Sequence, residues 1–181
     1  MRTGLILLFL VILNSCADLE QPEYLQEIER IEKDMNQKVD EVNELAKGID
    51  SSLIRKGDSI ILELKQFETD TIRLEDAQLM NSYQRLQESI PVALKLKTQI
   101  DEAISAQNDD LKKLKSDIEK GAGRRGKYAE YVAKEKSKSE ELSQQFDRLR
   151  VLLQEINDKI EPTTERVIQL IDERNASKEV Q

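Results

Sequence analysis

LMNSYQRLQESIPVALKLKTQIDEAISAQNDDLKKLKSDI, residues 79–118, decides the fold. Its apolar residues return at alternating steps of three and four: Leu79, Tyr83, Leu86, Ile90, Ala93, Ile100, Ile104, Leu111, Leu114 and Ile118. Lys97 and Gln107 are polar members of the same seam. A mean step near 3.5 puts these side chains on one stripe of an α-helix, with charged residues between them facing water. A strand would need a two-residue period, which is missing here. Such a helix is not stable alone, so other helices must cover its stripe.

The same period extends in both directions. Upstream, Ile28, Ile31, Met35, Val42, Leu45 and Ile49 form a seam broken only by Lys38, and Pro22 suits a first helical turn. This predicts a helix over about 22–47, with Gly48 and Asp50-Ser51-Ser52 marking a stop and a restart. A second pattern starts near Ser52 or Asp58 and takes Ile60, Leu64, Phe67, Thr71 and Leu74 before slipping by one residue to Leu79. The slip, around Glu68-Thr69-Asp70-Thr71, reads as a stutter or local unwinding. Gly121-Ala122-Gly123-Arg124-Arg125-Gly126 is the clearest break. Beyond it Tyr128, Val132, Leu142, Phe146, Leu149, Leu153, Ile156, Ile160, Thr163, Val167 and Leu170 continue the pattern. Glu135 and Ser139 also fall on this last seam, which predicts loose packing at its start, and residues 176–181 are expected to fray.

Pro91 and Pro162 lie inside these patterns, where proline costs about 3 kcal/mol and bends or ends a helix. The seam keeps phase from Ile90 to Ala93, and folding the chain back at Gly123 brings the two prolines to nearly matching heights. The expected fold is therefore all-α: one domain over 22–175, an elongated antiparallel, coiled-coil-like hairpin of three long helices with the middle one kinked. The alternative is a four-helix up-and-down bundle broken at Pro91.

Composition agrees with long solvated helices. Of 181 residues 35% are charged, only 6 are Gly and 3 Pro, and Trp and His are absent. The 28 basic residues stand against 36 acidic ones, a net charge of −8, which argues against nucleic acid and against electrostatic adhesion to anionic lipid. Without histidine, and with one cysteine, neither a zinc centre nor a Cys-His or Ser-His nucleophile is expected, and no cofactor or small-molecule substrate is implied.

The N-terminal residues carry an address. Arg2 is the only charge before Asp18, and Leu5–Leu13 is an uninterrupted apolar run of about 14 Å as a helix, roughly half a bilayer core. That length suits a signal peptide better than a spanning helix. Leu13-Asn14-Ser15-Cys16 resembles the lipobox of bacterial lipoproteins, with a branched apolar residue at −3 and a small one at −1; Asn14 at −2 departs from the commonest pattern. The resemblance implies cleavage between Ser15 and Cys16, removing residues 1–15, and a diacylglyceryl group on the Cys16 thiol with acylation of the new amino group. Two or more chains suffice for stable anchoring. Residues 16–21 would be the lipidated cysteine and its tether. Ala17 after the cysteine, with Asp18 following, leans by analogy with enterobacterial sorting toward the outer membrane.

Other constellations attract less. Gly121, Gly123 and Gly126 spell G-x-G-x-x-G, but helix precedes them where a dinucleotide site needs a strand. Arg124, Arg125 and Lys127 make this turn basic, a candidate docking point for an acidic partner or lipid headgroup. Asp109-Asp110 and Glu140-Glu141 are ordinary in so acidic a chain, and Asn175-Ala176-Ser177 is a sequon with little weight in a bacterial lipoprotein. The expectation is a non-catalytic, lipid-anchored envelope protein that scaffolds or binds an envelope protein partner. A periplasmic holdase or a surface adhesin are the alternatives.

Overall fold

A computed structural model describes residues 20–67 and 72–179, with the side chains of 178 and 179 left aside. Its described residues form α-helices and one short 3-10 turn, with no strand among them. The helices are α1 (Gln21–Leu45), α2 (Ser51–Lys65), α3 (Leu74–Glu119) and α4 (Tyr128–Glu179).

The local signals sit where chain chemistry requires them. Gly48, at φ +84°, follows α1. Asp50 then caps α2, its carboxylate accepting from the amides of Ser52 at 2.8 Å and Leu53 at 3.3 Å. The Ser52 hydroxyl is also bound, and together these bonds hold the Asp50 carboxyl below its usual range. α3 ends in a Schellman motif: Gly121, at φ +60°, donates to Ile118 O, and Ala122 donates to Asp117 O.

The chain divides into two compact units. The first takes residues through Val39 with Ile100–Gln145; the second takes Asp40–Gln99 with Phe146–Gln181. In the first unit α1 runs antiparallel to the end of α3. Gln21 Nε2 donates to Ile118 O at 2.8 Å, and Lys115 pairs with Glu29 at 3.0 Å. The start of α4 runs back along α3, with Tyr128 near Asp117 and Lys138 on Asp110 at 2.7 Å. Ile28, Met35, Ile100, Leu111 and Ile118 are fully enclosed.

In the second unit α2 and α3 are antiparallel. Gly57 in α2 lies against the Gln87 side chain of α3, so close that a Cβ at Gly57 would stand 2.0 Å from Gln87 Oε1. Ile60, Leu64 and Phe67 pack with Tyr83, Val167 and Ile171. Two helices stacked as one would keep Gly57 and Gln87 about 45 Å apart. The chain thus runs in opposite directions in α2 and α3, so these are two helices and not the single kinked middle helix that the three-helix reading expected. The slip in the seam, at residues 68–71, lies outside the described residues.

Helix continues through both prolines, so the break expected by the four-helix alternative at Pro91 is not found. Pro91 and Pro162 lie on exposed faces, and Ile90, Ala93 and Val167 around them are fully buried. Burial at about 1.5–3 kcal/mol per large apolar side chain offsets the lost hydrogen bond. Leu74 is 74% exposed, because the seam restarts only after the reversal. α4 extends to Glu179.

Candidate functional site

Ser15 and Cys16, the expected cleavage and lipidation residues, lie outside the described residues. α1 begins at Gln21, so four residues stand between Cys16 and the first helix.

Two of the three cations of the turn after α3 are held by their neighbours. Arg125 Nε donates to Gly121 O at 3.0 Å, and Lys127 pairs with Glu130 at 3.0 Å, a contact that raises the lysine's pKa. Arg124 is exposed and has no ion pair among the described residues. The Tyr128 hydroxyl lies within reach of Asp117 O, at 2.9 Å, and of Ala122 O, and fastens the turn to the end of α3. The glycine spacing therefore builds a helix-to-helix connection, completed by a 3-10 turn at Arg125–Lys127. Tyr131 stands 37% exposed beside it.

The first unit holds a polar layer at Gln107 and Glu135, 3% and 7% exposed. Gln107 Nε2 donates to Glu135 O at 2.9 Å, while Glu135 Oε1 and Asp110 share the ammonium of Lys138 at 2.8 and 2.7 Å. Asp110 holds the Lys138 pKa up, with help from Glu135, and Lys138 holds Asp110 down. Lys136 reaches Glu27 of α1 at 2.8 Å and lowers its pKa. Glu135, read from sequence as a loosely packed seam position, is a buried member of this layer. Gln107 is satisfied within the chain at its amide nitrogen.

The second unit carries two features that sequence reading missed. One is a carboxylate clamp: Asp76, in the first turn of α3, receives Arg73 Nε at 3.0 Å, a second Arg73 nitrogen at 3.2 Å, and Arg174 of α4 at 3.1 Å. Arg73 first, and Arg174 with it, hold the Asp76 carboxyl below its usual range. The other is an open groove of about 790 Å³ between α3 and α4. Leu79 and Leu86 contribute its apolar surface; Glu75, Gln78, Ser82, Arg85 and Ser89 stand on the α3 side. Glu155, Lys159, Thr163 and Arg166 stand on the α4 side. Lys159 is paired with Glu155 at 2.6 Å, whereas Arg85 and Arg166 have no ion pair among the described residues. The signal available in sequence was weak: Arg85 and Arg166 occupy flanks of the seam, as many charged residues do.

Among the described residues no cluster of three or more potential metal ligands is gathered, and no helix is long and apolar enough to cross a membrane. Asp109, Glu140 and Glu141 are exposed and line no described cavity. Asn175 and Ser177 lie within α4, on its exposed surface. Compared with known protein families, with curated proteins and with solved structures, the chain matches none.

Proposed function

We propose that this chain is a bacterial envelope lipoprotein, anchored through lipid on Cys16, whose helical body works by binding or scaffolding a protein partner and not by catalysis. The observation that carries the reading is Leu13-Asn14-Ser15-Cys16 directly after the apolar run Leu5–Leu13. The start of α1 at Gln21 supports it, since a tether of about five steps at ~3.5 Å keeps the first helix within roughly 18 Å of the lipid. The acidic balance, net −8, leaves covalent lipid as the attachment. Ala17 in the position after the cysteine favours the outer membrane by analogy with enterobacterial sorting.

The test is Cys16→Ser in a bacterial host supplied with labelled palmitate. The natural chain should be cut and labelled, and the variant should stay uncut and unlabelled. Normal processing and labelling of the variant would overturn the proposal.

A further inference from the structure

We infer that the groove between α3 and α4 in the second unit is a docking site for an amphipathic helix of three to four turns whose apolar stripe is flanked by acidic residues. The inference deepens the protein-binding part of the proposed function by naming the partner's chemistry.

Length comes first. The groove is lined from Glu75 to Ser89 on α3 and from Glu155 to Arg166 on α4, about 21 Å and 16 Å of helix axis. A helix 10 Å across, sunk to half its section over about 18 Å, displaces roughly 700 Å³, close to the ~790 Å³ present. The floor suits such an occupant. Half-buried Leu79, with the 8% of Leu86 left exposed, offers apolar surface, and the hydroxyls of Ser82 and Ser89 are turned onto their own helix, donating to Gln78 O at 2.8 Å and Leu86 O at 2.6 Å. Small side chains with their protons already used leave room for larger apolar ones, which is the helix-in-groove mode of recognition.

Charge then selects the partner. Arg85 and Arg166 line opposite walls of the groove without an ion pair among the described residues; of the lining carboxylates Glu155 is held by Lys159 and Glu75 stands at the groove's end, so the lining keeps a net positive charge. Arg166 has Pro162, Thr163, Gln169 and Leu170 three and four residues away, none acidic. Glu88, the one acidic residue so placed around Arg85, accepts from Gln84 at 2.9 Å. An acidic flank on the incoming helix supplies the missing carboxylates.

The test uses the full-length chain and fluorescein-labelled 14-residue peptides read by anisotropy. One peptide carries leucines at helical spacing with glutamate flanks, one has lysine flanks, and one is a shuffled version of the first. The glutamate peptide should bind at least tenfold more tightly than the other two and weaken with salt. Arg85→Glu with Arg166→Glu should cost it about fivefold or more and favour the lysine peptide. Ser82→Phe should fill the floor and weaken binding without changing charge. Unchanged far-UV circular dichroism verifies that the variants fold. Equal binding of the three peptides, no binding of any, or indifference to the charge reversal overturns the inference. So does binding to phosphatidylglycerol vesicles through these arginines without peptide binding. Because the assay needs no lipid on Cys16, its failure leaves the anchoring proposal standing, and the reverse holds too.

Discussion

Removing the Asp76 carboxylate should weaken the second unit by an amount set by how its two arginines are exposed. Asp76 has 9% of its side-chain surface exposed, Arg174 20% and Arg73 71%. The Arg174 bond at 3.1 Å is largely shielded, and a charge-assisted hydrogen bond of that kind contributes about 1.5–3 kcal/mol. The Arg73 pair, though bidentate, stands mostly in water and adds little. A carboxylate in the first turn of α3 adds about 0.3–1 kcal/mol against the helix dipole. Asp76→Asn keeps the shape and an amide oxygen that still accepts from an arginine but loses the charge, so it should cost only the lower part of what these contributions add up to, about 2–3 kcal/mol. At ~2–4 °C per kcal/mol this lowers Tm by about 4–12 °C. A cycle with Arg174→Met should give a coupling near 1–2 kcal/mol, and Arg73→Ala alone should change stability little. The pH dependence has a definite sign. The folded-state pKa lies below the unfolded value of about 3.9, so the contribution is present above that value. It is lost as pH falls through the folded pKa. Urea unfolding followed at 222 nm at pH 7 and near pH 2.5 should show the gap between natural chain and Asp76→Asn closing in acid. A gap that persists in acid, or a cycle with no coupling, refutes the clamp.

Gly57→Ala would stabilise an open helix by about 1 kcal/mol, but here the new Cβ meets the buried Gln87 amide, so a net loss of about 1 kcal/mol is expected. The same change in a Gln87→Ala background should stabilise, and an identical effect in both backgrounds would contradict the close approach. Gly121→Ala, forced into positive φ at the end of α3, should cost about 1 kcal/mol in a thermal melt, and an unchanged Tm would speak against the Schellman turn. Tyr128→Phe keeps the buried ring and removes the bond to the end of α3; a loss of about 1 kcal/mol is expected, visible as faster amide exchange at residues 120–122.

Helical seams were legible because each buried position repeats a local period. Ile28 to Ile49, Tyr83 to Ile118 and Phe146 to Leu170 are buried much as their spacing indicates, and the caps at Asp50 and Gly121 are set by neighbours in sequence. The reversal after α2 was visible only as a slip of one residue, since periodicity records phase within a helix and not the direction of the next. Pro91 misled the four-helix alternative because its cost is local, whereas the burial of Ile90 and Ala93 that offsets it comes from other helices. The clamp joins residues 98 apart, and the groove depends on which pair of helices leaves its outer face open. Neither can be reached without the register between α3 and α4. The turn cations were found by composition, but their engagement with Gly121 and Glu130 depends on backbone angles that composition does not report.

Mass spectrometry of the intact chain, extracted from bacterial membranes with detergent, tests the central claim most directly. The account predicts a mature protein that begins at Cys16 and carries diacylglyceryl and an added acyl chain, with nothing remaining of residues 1–15. A mature chain that begins elsewhere, or that begins at Cys16 with an unmodified thiol, would contradict it.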